Sequence, residues 1–245
     1  MPRFFIPTDL TINSSFSLPD KVARHVQVLR YQPGDVIDLF DGSGMVFQAE
    51  ITAMGKKNVD VRLGEGQPLS IESPLKITLL QSISSSERMD LTVQKSVELG
   101  ISVVQPLITE RSSQRLQGER ALKKLERWQD IAINACEQCG RVIVPEIRPI
   151  LNLAEGLANT SATDLKLLMS LNHPQALNQF VSPKAVSLLI GPEGGLTRLE
   201  EQLAMKHAFK AISLGPRILR TETASLAAIS AIQMLWGDFA LPCEI

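Results

Sequence analysis

Val186-Ser-Leu-Leu-Ile190 is followed by Gly191-Pro-Glu-Gly-Gly195 and then by Leu196-Thr-Arg-Leu-Glu200. The first segment predicts a strand covered on both faces, and the spacing of Thr197 and Glu200 predicts a capping box that begins a helix. Ligands of parallel α/β sheets bind beyond the carboxyl ends of strands, where this glycine loop must lie. Glycines also let a ligand approach the backbone closely. The loop therefore indicates either a ligand site or a tight turn that only reverses the chain.

A second loop, Leu214-Gly-Pro-Arg-Ile-Leu-Arg-Thr-Glu-Thr223, again joins a predicted strand to a predicted helix. Thr221 or Glu222 stands at the helix start, where capping alone would explain either residue. Arg217 and Arg220 flank a strand end in an apolar region, which favours a functional role. The final helix is apolar nearly all round, so it is either buried or half of a subunit interface.

The alternation of strands and helices after residue 75 predicts an α/β domain with a parallel sheet. Its strands are predicted at 75–83, 101–108, 165–171, 186–190 and 211–214, and its helices at 86–99, 119–139, 197–209 and 221–236. Ser86 is the predicted cap of the first of these helices.

Residues 1–72 have a different pattern of apolar and polar residues, which predicts a small, mostly β domain. A hairpin is expected from 35–40 and 45–51, followed by a strand at 59–63. One helix, capped by Asp20, is expected to end near residue 29. Breaker residues at 64–74 mark a linker. The predicted domains are therefore residues 1–72 and 73–245.

Composition limits the function classes without choosing one. The 245 residues are 44% hydrophobic with a formal net charge of −1, which fits a globular protein and neither announces nor excludes RNA as a partner. The apolar runs are too short to span a bilayer, and the first residues lack a signal-peptide pattern, so a cytoplasmic location is expected. Three cysteines and three scattered histidines predict no metal site. Cys136 and Cys139 are expected to be packing residues.

The two loops, in this order near the C-terminus, resemble those of the bacterial 16S rRNA uridine-N3 methyltransferases of the SPOUT superfamily. The resemblance extends over nearly the whole chain. Its other motifs are Met1-Pro-Arg-Phe-Phe5, His25-Val-Gln-Val-Leu-Arg30, Lys95-Ser-Val-Glu-Leu-Gly100, Glu110-Arg-Ser112 and Ala135-Cys-Glu-Gln-Cys-Gly-Arg141.

This resemblance implies an N-terminal PUA-like barrel that helps to bind RNA and a C-terminal SPOUT domain with a trefoil knot. It also implies a homodimer, S-adenosylmethionine as cofactor, and methylation of uridine N3 in 16S rRNA of the small ribosomal subunit. The cofactor contacts that it implies are Met169, Leu171, Ile190, Gly191, Pro192, Glu193, Gly194, Gly195, Leu214, Gly215, Leu219, Arg220, Glu222, Thr223 and Ala224.

The proposed catalytic residues are Arg220 and Glu222. Uracil N3 is a poor nucleophile while protonated, so a carboxylate should assist loss of the proton and a cation should stabilise the anion. Glu222 and Glu193 are the nearest carboxylates of the two motifs, and Arg220 is the nearest cation. Basic residues are the candidates for RNA contact, although each alone is more often a solvated charge. They are Arg3, Arg24, Arg30, Arg88, Lys95, Arg111, Arg115 and Arg141.

Two alternatives stay open on the sequence. A related knotted enzyme would methylate a ribose 2′-oxygen instead of a base nitrogen. A non-catalytic RNA-binding module would use the barrel alone and would have no need of the glycine loops.

Overall fold

The computed structural model describes residues 2–69, 71–160 and 163–240. They form two compact units, one of Met1–Glu72 with Ile133–Val144 and the other of Ser73–Ala132 with Pro145–Ile245. The division after residue 72 coincides with the predicted boundary, but residues 133–144 group with the first unit. The domain limits proposed from the sequence stay a prediction about independent folding.

The first unit is built on a mixed five-stranded sheet in the order β1-β3-β4-β5-β2. Strands β1 and β3 are parallel and the other pairs antiparallel. Alternate residues of β3, β4 and β5 share one buried apolar cluster. The elements are β1 (Arg3–Phe5), β2 (Ser15–Ser17), α1 (Asp20–Val28), β3 (Val36–Phe40), β4 (Met45–Met54) and β5 (Val59–Pro68).

The second unit is a parallel sheet in the order β12-β10-β11-β6-β7-β8, with β9 also pairing with β7. Its elements are β6 (Lys76–Ser82), α2 (Ser86–Glu98), β7 (Val103–Ile108), α3 (Gly118–Cys139), β8 (Glu146–Ile147), β9 (Leu151–Asn152), α4 (Leu153–Ala158), β10 (Leu165–Met169), a 3₁₀ helix (Leu177–Gln179), β11 (Ala185–Ile190), α5 (Arg198–Lys206), β12 (Lys210–Ile212) and α6 (Thr221–Trp236). Helix α3 contributes residues to both units, since its last turns group with the first.

The long predicted elements are confirmed, and the corrections concern their ends. Strand β5 continues to Pro68, so the breaker-rich segment is partly strand rather than linker. The caps predicted at Asp20 and Ser86 are absent. The N-cap residues of the two helices are Pro19 and Ser85, and neither makes a side-chain capping hydrogen bond. The short strands β1, β2, β8 and β9 and the helix α4 were not predicted from the sequence.

The parallel register places three strand ends at one edge of the sheet. Met169 at the end of β10 pairs with Ile212 at the end of β12, and Leu168 pairs with Leu189 near the end of β11. The loops after these strands therefore leave the sheet side by side. Within the described residues, no helix is both long enough and apolar enough to cross a membrane.

Candidate cofactor and catalytic site

The loops that follow β10, β11 and β12 enclose a cavity of about 430 Å³. This volume falls within the range of about 300–1,000 Å³ that is usual for small-molecule sites. Its lining is Arg88, Met169–Asn172, Ile190–Leu196, Glu201, Ile212–Leu214, Arg217–Thr221 and Ala224. The cavity is thus the ligand site expected at the carboxyl ends of parallel strands.

The first glycine loop is tightly packed at two of its glycines. A Cβ at Gly191 would lie 3.1 Å from the backbone nitrogen of Leu196, and one at Gly194 would lie 3.3 Å from the side chain of Arg111. Gly195 has φ of +67°, a conformation that favours glycine. The Arg111 guanidinium also donates to the Gly194 carbonyl at 2.9 Å. The loop is therefore a packed wall rather than a free turn.

A buried hydrogen-bond chain connects the two glycine-containing loops. The Thr221 hydroxyl donates to the Gly191 carbonyl at 2.7 Å and accepts a bond from the Gln81 amide at 3.0 Å. The Ser225 hydroxyl in turn donates to Gln81 at 2.6 Å. Because the three side chains are at most 5% exposed, their hydrogen bonds are shielded from water and fix the start of α6 against the first loop.

Arg88 lies between one carboxylate from each loop. Its guanidinium is 3.2 Å from Glu193 and 3.7 Å from Glu222. The Ser85 backbone N–H donates to Glu193 at 2.8 Å. Burial alone would raise the pKa of Glu193, but the Ser85 hydrogen bond and the nearby Arg88 charge outweigh it and lower that pKa. Glu193 is consequently ionised at neutral pH.

Comparison with known proteins shows to which family this chain belongs. Residues 71–233 match the model of an RNA methyltransferase domain, and residues 18–64 match that of an RNA methyltransferase PUA domain. A ribosomal RNA small subunit methyltransferase E from Buchnera aphidicola is 36% identical over 98% of this chain and 95% of that protein. The chain belongs to the ribosomal RNA small subunit methyltransferase E family.

Two solved structures support the same assignment. A ribosomal RNA small subunit methyltransferase E from Neisseria gonorrhoeae, bound to S-adenosyl methionine, is 49% identical with a TM-score of 0.94, over 98% of this chain and 99% of that one. A methyltransferase from Legionella pneumophila, in complex with the same cofactor, is 39% identical with a TM-score of 0.93, over 97% and 98% of the two chains. The expected fold, a PUA-like N-terminal sheet and a SPOUT-like parallel-sheet domain, is confirmed.

Most of the cofactor contacts predicted for this family member lie on the cavity wall. Those that line it are Met169, Leu171, Ile190–Gly195, Leu214, Leu219, Arg220 and Ala224. The predicted contacts Gly215, Glu222 and Thr223 are not among the lining residues. Glu222 contacts Arg88 instead, with its side chain 13% exposed. The contact roles themselves stay predictions.

The sequence did not predict a polar part of the cavity wall that Ser170, Asn172 and Glu201 form. Glu201 accepts hydrogen bonds from the Ser170 hydroxyl at 2.8 Å and from the Asn172 amide at 2.6 Å. Glu201 lies in the first turn of α5, where an acidic residue is ordinary, so its position gave no signal. Ser170 and Asn172 come directly after a strand, which is the signal that could have marked them.

Several cations predicted to contact RNA are engaged within their own unit. Arg3 contacts the Gly140 carbonyl and Asp38, and Arg141, which is 6% exposed, pairs with Glu72. Arg88 contacts Glu193 and Glu222, and Arg111 is bonded to the Gly194 carbonyl. Lys95 pairs with Glu98. Arg24 and Arg30 are exposed and make no ion pair with any described residue. Contact of any of these cations with RNA stays a prediction.

Neither cysteine of the pair Cys136 and Cys139 is in a disulfide bond, and both are at least partly buried. Cys136 is fully buried, and burial raises the pKa of its thiol to about 12. Cys139 is partly buried, and Cys243 lies outside the described residues. Among the described residues, no group of three or more histidine, cysteine or acidic side chains is placed to hold a metal ion.

Proposed function

We propose that this chain binds S-adenosylmethionine in the strand-end cavity and transfers its methyl group to N3 of a uridine in 16S rRNA. The observation that carries the proposal is the cavity itself, bounded by the two glycine-containing loops in a chain 49% identical to a family member solved with this cofactor. Because that substrate belongs to the small ribosomal subunit, the proposed place of action is the cytoplasm.

The cavity residues fit the cofactor in shape and polarity. Met169, Ile190 and Leu214 provide apolar surface, and a Cβ at Gly191 would lie only 3.1 Å from the backbone nitrogen of Leu196. The backbone N–H groups of Leu171 and Leu219 have no hydrogen-bond partner among the described residues. Such groups suit the polar ends of a ligand whose middle requires an apolar slot.

S-adenosylmethionine supplies an electrophilic methyl group carried on a sulfonium. The chain must then hold uridine in line with that methyl group and exclude water. Arg220 lies on the cavity wall and is exposed, so its guanidinium is placed to bind the uridylate or its phosphate. Its proposed role is to stabilise the negative charge that develops when N3 loses its proton.

A carboxylate is proposed to assist that proton loss. Arg88 contacts both carboxylates, but Glu193 lines the cavity and Glu222 does not. Glu193 is therefore the better placed proton acceptor, and Glu222 acts as a positioning residue through Arg88. The proposed part of Glu222 is to keep Arg88 against the wall that Glu193 forms.

A second copy of the chain is proposed to cover the exposed side of α6. Met234 is 55% exposed and Leu235 46%, and Ile218 on the cavity loop is 85% exposed. Large apolar side chains exposed next to each other, as Met234 and Leu235 are on α6, are typical of a surface that a partner covers. The expected result of sedimentation velocity is a dimer, and replacement of Met234 and Leu235 by Glu should give monomers.

Replacement of Arg220 by Ala tests the catalytic assignment. Calorimetry should detect S-adenosylmethionine binding to both proteins, while the variant should lose methylation of small ribosomal subunits. Arg198→Ala is the matched control, since Arg198 is exposed on α5 and does not line the cavity. Retained turnover in the Arg220 variant would contradict the role proposed for it.

The target atom is tested separately by primer extension on rRNA from a strain lacking the protein. Methylation at N3 blocks base pairing and stops reverse transcriptase, whereas ribose methylation mostly lets it pass. The stop should disappear in the deletion strain and return with the wild-type gene. A lost ribose methyl group in the mass spectrum would favour the ribose-methylating alternative.

A further inference from the structure

A second concave surface, in the unit that holds the cofactor cavity, is lined almost entirely by cations. This basic groove has a volume of about 600 Å³, and its lining residues are Gln114, Arg115, Leu116, Arg120, Lys123, Lys124 and Arg127. Among the described residues, the lining contains five basic and no acidic side chains, in a chain whose formal net charge is −1. Such local concentration of positive charge in an otherwise balanced protein is the footprint of a polyanionic partner.

The cations of the basic groove are only partly neutralised by the protein. Arg115 and Arg120 are exposed and make no hydrogen bond or ion pair with any described residue. Lys123 pairs with Glu119 at 2.7 Å, but both side chains are more than 70% exposed, so that this pair contributes little and exchanges readily for a phosphate. Arg127 pairs with Asp90. Three cations are therefore available to a ligand.

Arg120 adds positive charge to the groove at the N-terminal end of a long helix. It lies in the first turn of α3, which begins at Gly118 and is 22 residues long. The unpaired N–H groups of a helix N-terminus already favour negative charge, and a cation there opposes the helix dipole. Glu119 in the same turn complements the dipole in the free protein, and Arg120 beside it is available to a bound anion.

Two contacts connect the basic groove to the cofactor cavity. Ser86, at the start of α2, accepts hydrogen bonds from Lys124 at 2.8 Å and Gln114 at 3.2 Å, while Arg88 two residues later lines the cavity. The segment that carries Arg115 also carries Arg111, which is bonded to the Gly194 carbonyl. A strand of nucleic acid lying in the groove would thus reach the cavity within one turn of α2.

We propose that the basic groove binds the sugar-phosphate backbone of the rRNA strand that carries the target uridine; this inference rests on the proposed function. None of the described residues that line the groove is aromatic, so bases do not stack there as they do in sequence-tolerant single-strand sites. Its contacts are to phosphates, which fix the register of the strand without reading its sequence. The sequence alone had singled out only Arg115 among these residues.

The test replaces three exposed cations, Arg115, Arg120 and Lys123, by Gln in the full-length protein. The matched control replaces Lys184, Lys206 and Lys210 by Gln, which removes the same charge from exposed positions that line neither cavity. Binding to small ribosomal subunits from a strain lacking the protein is measured over a series of KCl concentrations. Methylation kinetics and S-adenosylmethionine binding by calorimetry are measured on the same preparations.

The groove variant should bind S-adenosylmethionine as the wild type does, which also establishes that it is folded. The slope of log affinity against log salt concentration should be smaller in magnitude by about 2 to 3 for this variant. Each lost phosphate contact lowers that slope by about one. The variant's KM for subunits should rise roughly tenfold or more with little change in kcat, since uniform binding is lost. The lysine control should keep the wild-type slope and KM.

A groove variant with the wild-type salt slope would overturn the inference, and so would a control that weakens binding equally. The proposed function fails in a different way. If the wild-type protein binds subunits with a steep salt dependence but methylates none, the proposed function is wrong. The binding data would then still support the proposal that the groove binds rRNA. If the groove variant methylates with the wild-type KM, the groove is wrong and the function stands.

Discussion

The hydroxyl of Thr221 donates a hydrogen bond of 2.7 Å to the backbone carbonyl of Gly191, which joins the first residue of α6 to the first glycine loop. Both residues line the cofactor cavity. The same hydroxyl accepts a hydrogen bond from the buried Gln81 amide, so that one oxygen atom links two loops and a central strand. A helix-capping role predicted for Thr221 is thus replaced by a role between loops.

Replacement of Thr221 by Val should weaken both folding and cofactor binding. The substitution keeps the shape but removes the donor to the Gly191 carbonyl and one of the two acceptors of the Gln81 amide, which keeps its bond to the Ser82 carbonyl, at a cost of about 1–3 kcal/mol. We expect calorimetry to give a Kd for S-adenosylmethionine higher by on the order of tenfold, which corresponds to about 1.4 kcal/mol. Thr221→Ser retains the hydroxyl and should restore most of the affinity. Wild-type affinity in the valine variant would show that the bond is dispensable.

The carboxylate of Glu193 should give a distinct pH dependence of stability. Its pKa is lowered from 4.5, because the Ser85 N–H and Arg88 outweigh the effect of burial. A group with a lowered pKa in the folded state contributes stability that is fully present above its unfolded pKa and is lost as pH falls through the folded value. Glu193→Gln should therefore reduce stability by about 1 kcal/mol at pH 7.

That difference between wild type and Glu193→Gln should shrink as the pH falls below about 4.5, the ordinary glutamate value. Urea denaturation between pH 3 and pH 7 measures it. Glu126→Gln is the control, since Glu126 is exposed on α3 and makes no ion pair with any described residue. A stability difference that stays constant over this range would contradict the assignment of the lowered pKa.

Burial of Cys136 should make its thiol unreactive in the native protein. Its pKa is raised to about 12 by burial, and only the thiolate is the nucleophile in alkylation. In a Cys139→Ala background, iodoacetamide at pH 8 should leave Cys136 unmodified until the protein is denatured. Mass spectrometry of the peptide that contains Cys136 gives the modified fraction. Rapid modification of the folded protein would show a reactive thiol instead of a packing residue.

The elements and the cavity were largely predictable, because their signals are local. Apolar runs gave the parallel strands, and the capping box of Thr197 and Glu200 is present, with the Glu200 N–H donating to the threonine hydroxyl. Contacts between residues distant in the chain gave no such signal. The sequence predicts RNA contact for Arg88 as for any basic residue, and only the folded chain places it between Glu193 and Glu222. RNA contact is predicted likewise for Arg141, although its guanidinium is buried against Glu72.

The pair of Arg141 and Glu72 should be the ion pair whose loss destabilises the first unit most. Their side chains are 7% and 17% exposed, and the Arg141 Nε donates to the carboxylate at 3.0 Å. Removal of the Glu72 charge takes away the carboxylate that offsets a buried guanidinium, so Glu72→Gln should cost about 3–5 kcal/mol. The joint replacement of Arg141 by Met and Glu72 by Leu should cost much less, because it leaves no charge behind.

Glu50→Gln is the matched control for that measurement in the same unit. Arg62 and Glu50 also form an ion pair, at 2.6 Å, but their side chains are 62% and 44% exposed. The loss there should be below about 1 kcal/mol, since water and salt screen exposed charges. Hydrogen exchange of peptides from β3, β4 and β5 follows the first unit directly in all three proteins. Equal losses for Glu72→Gln and Glu50→Gln would mean that burial of Arg141 adds nothing to its pairing.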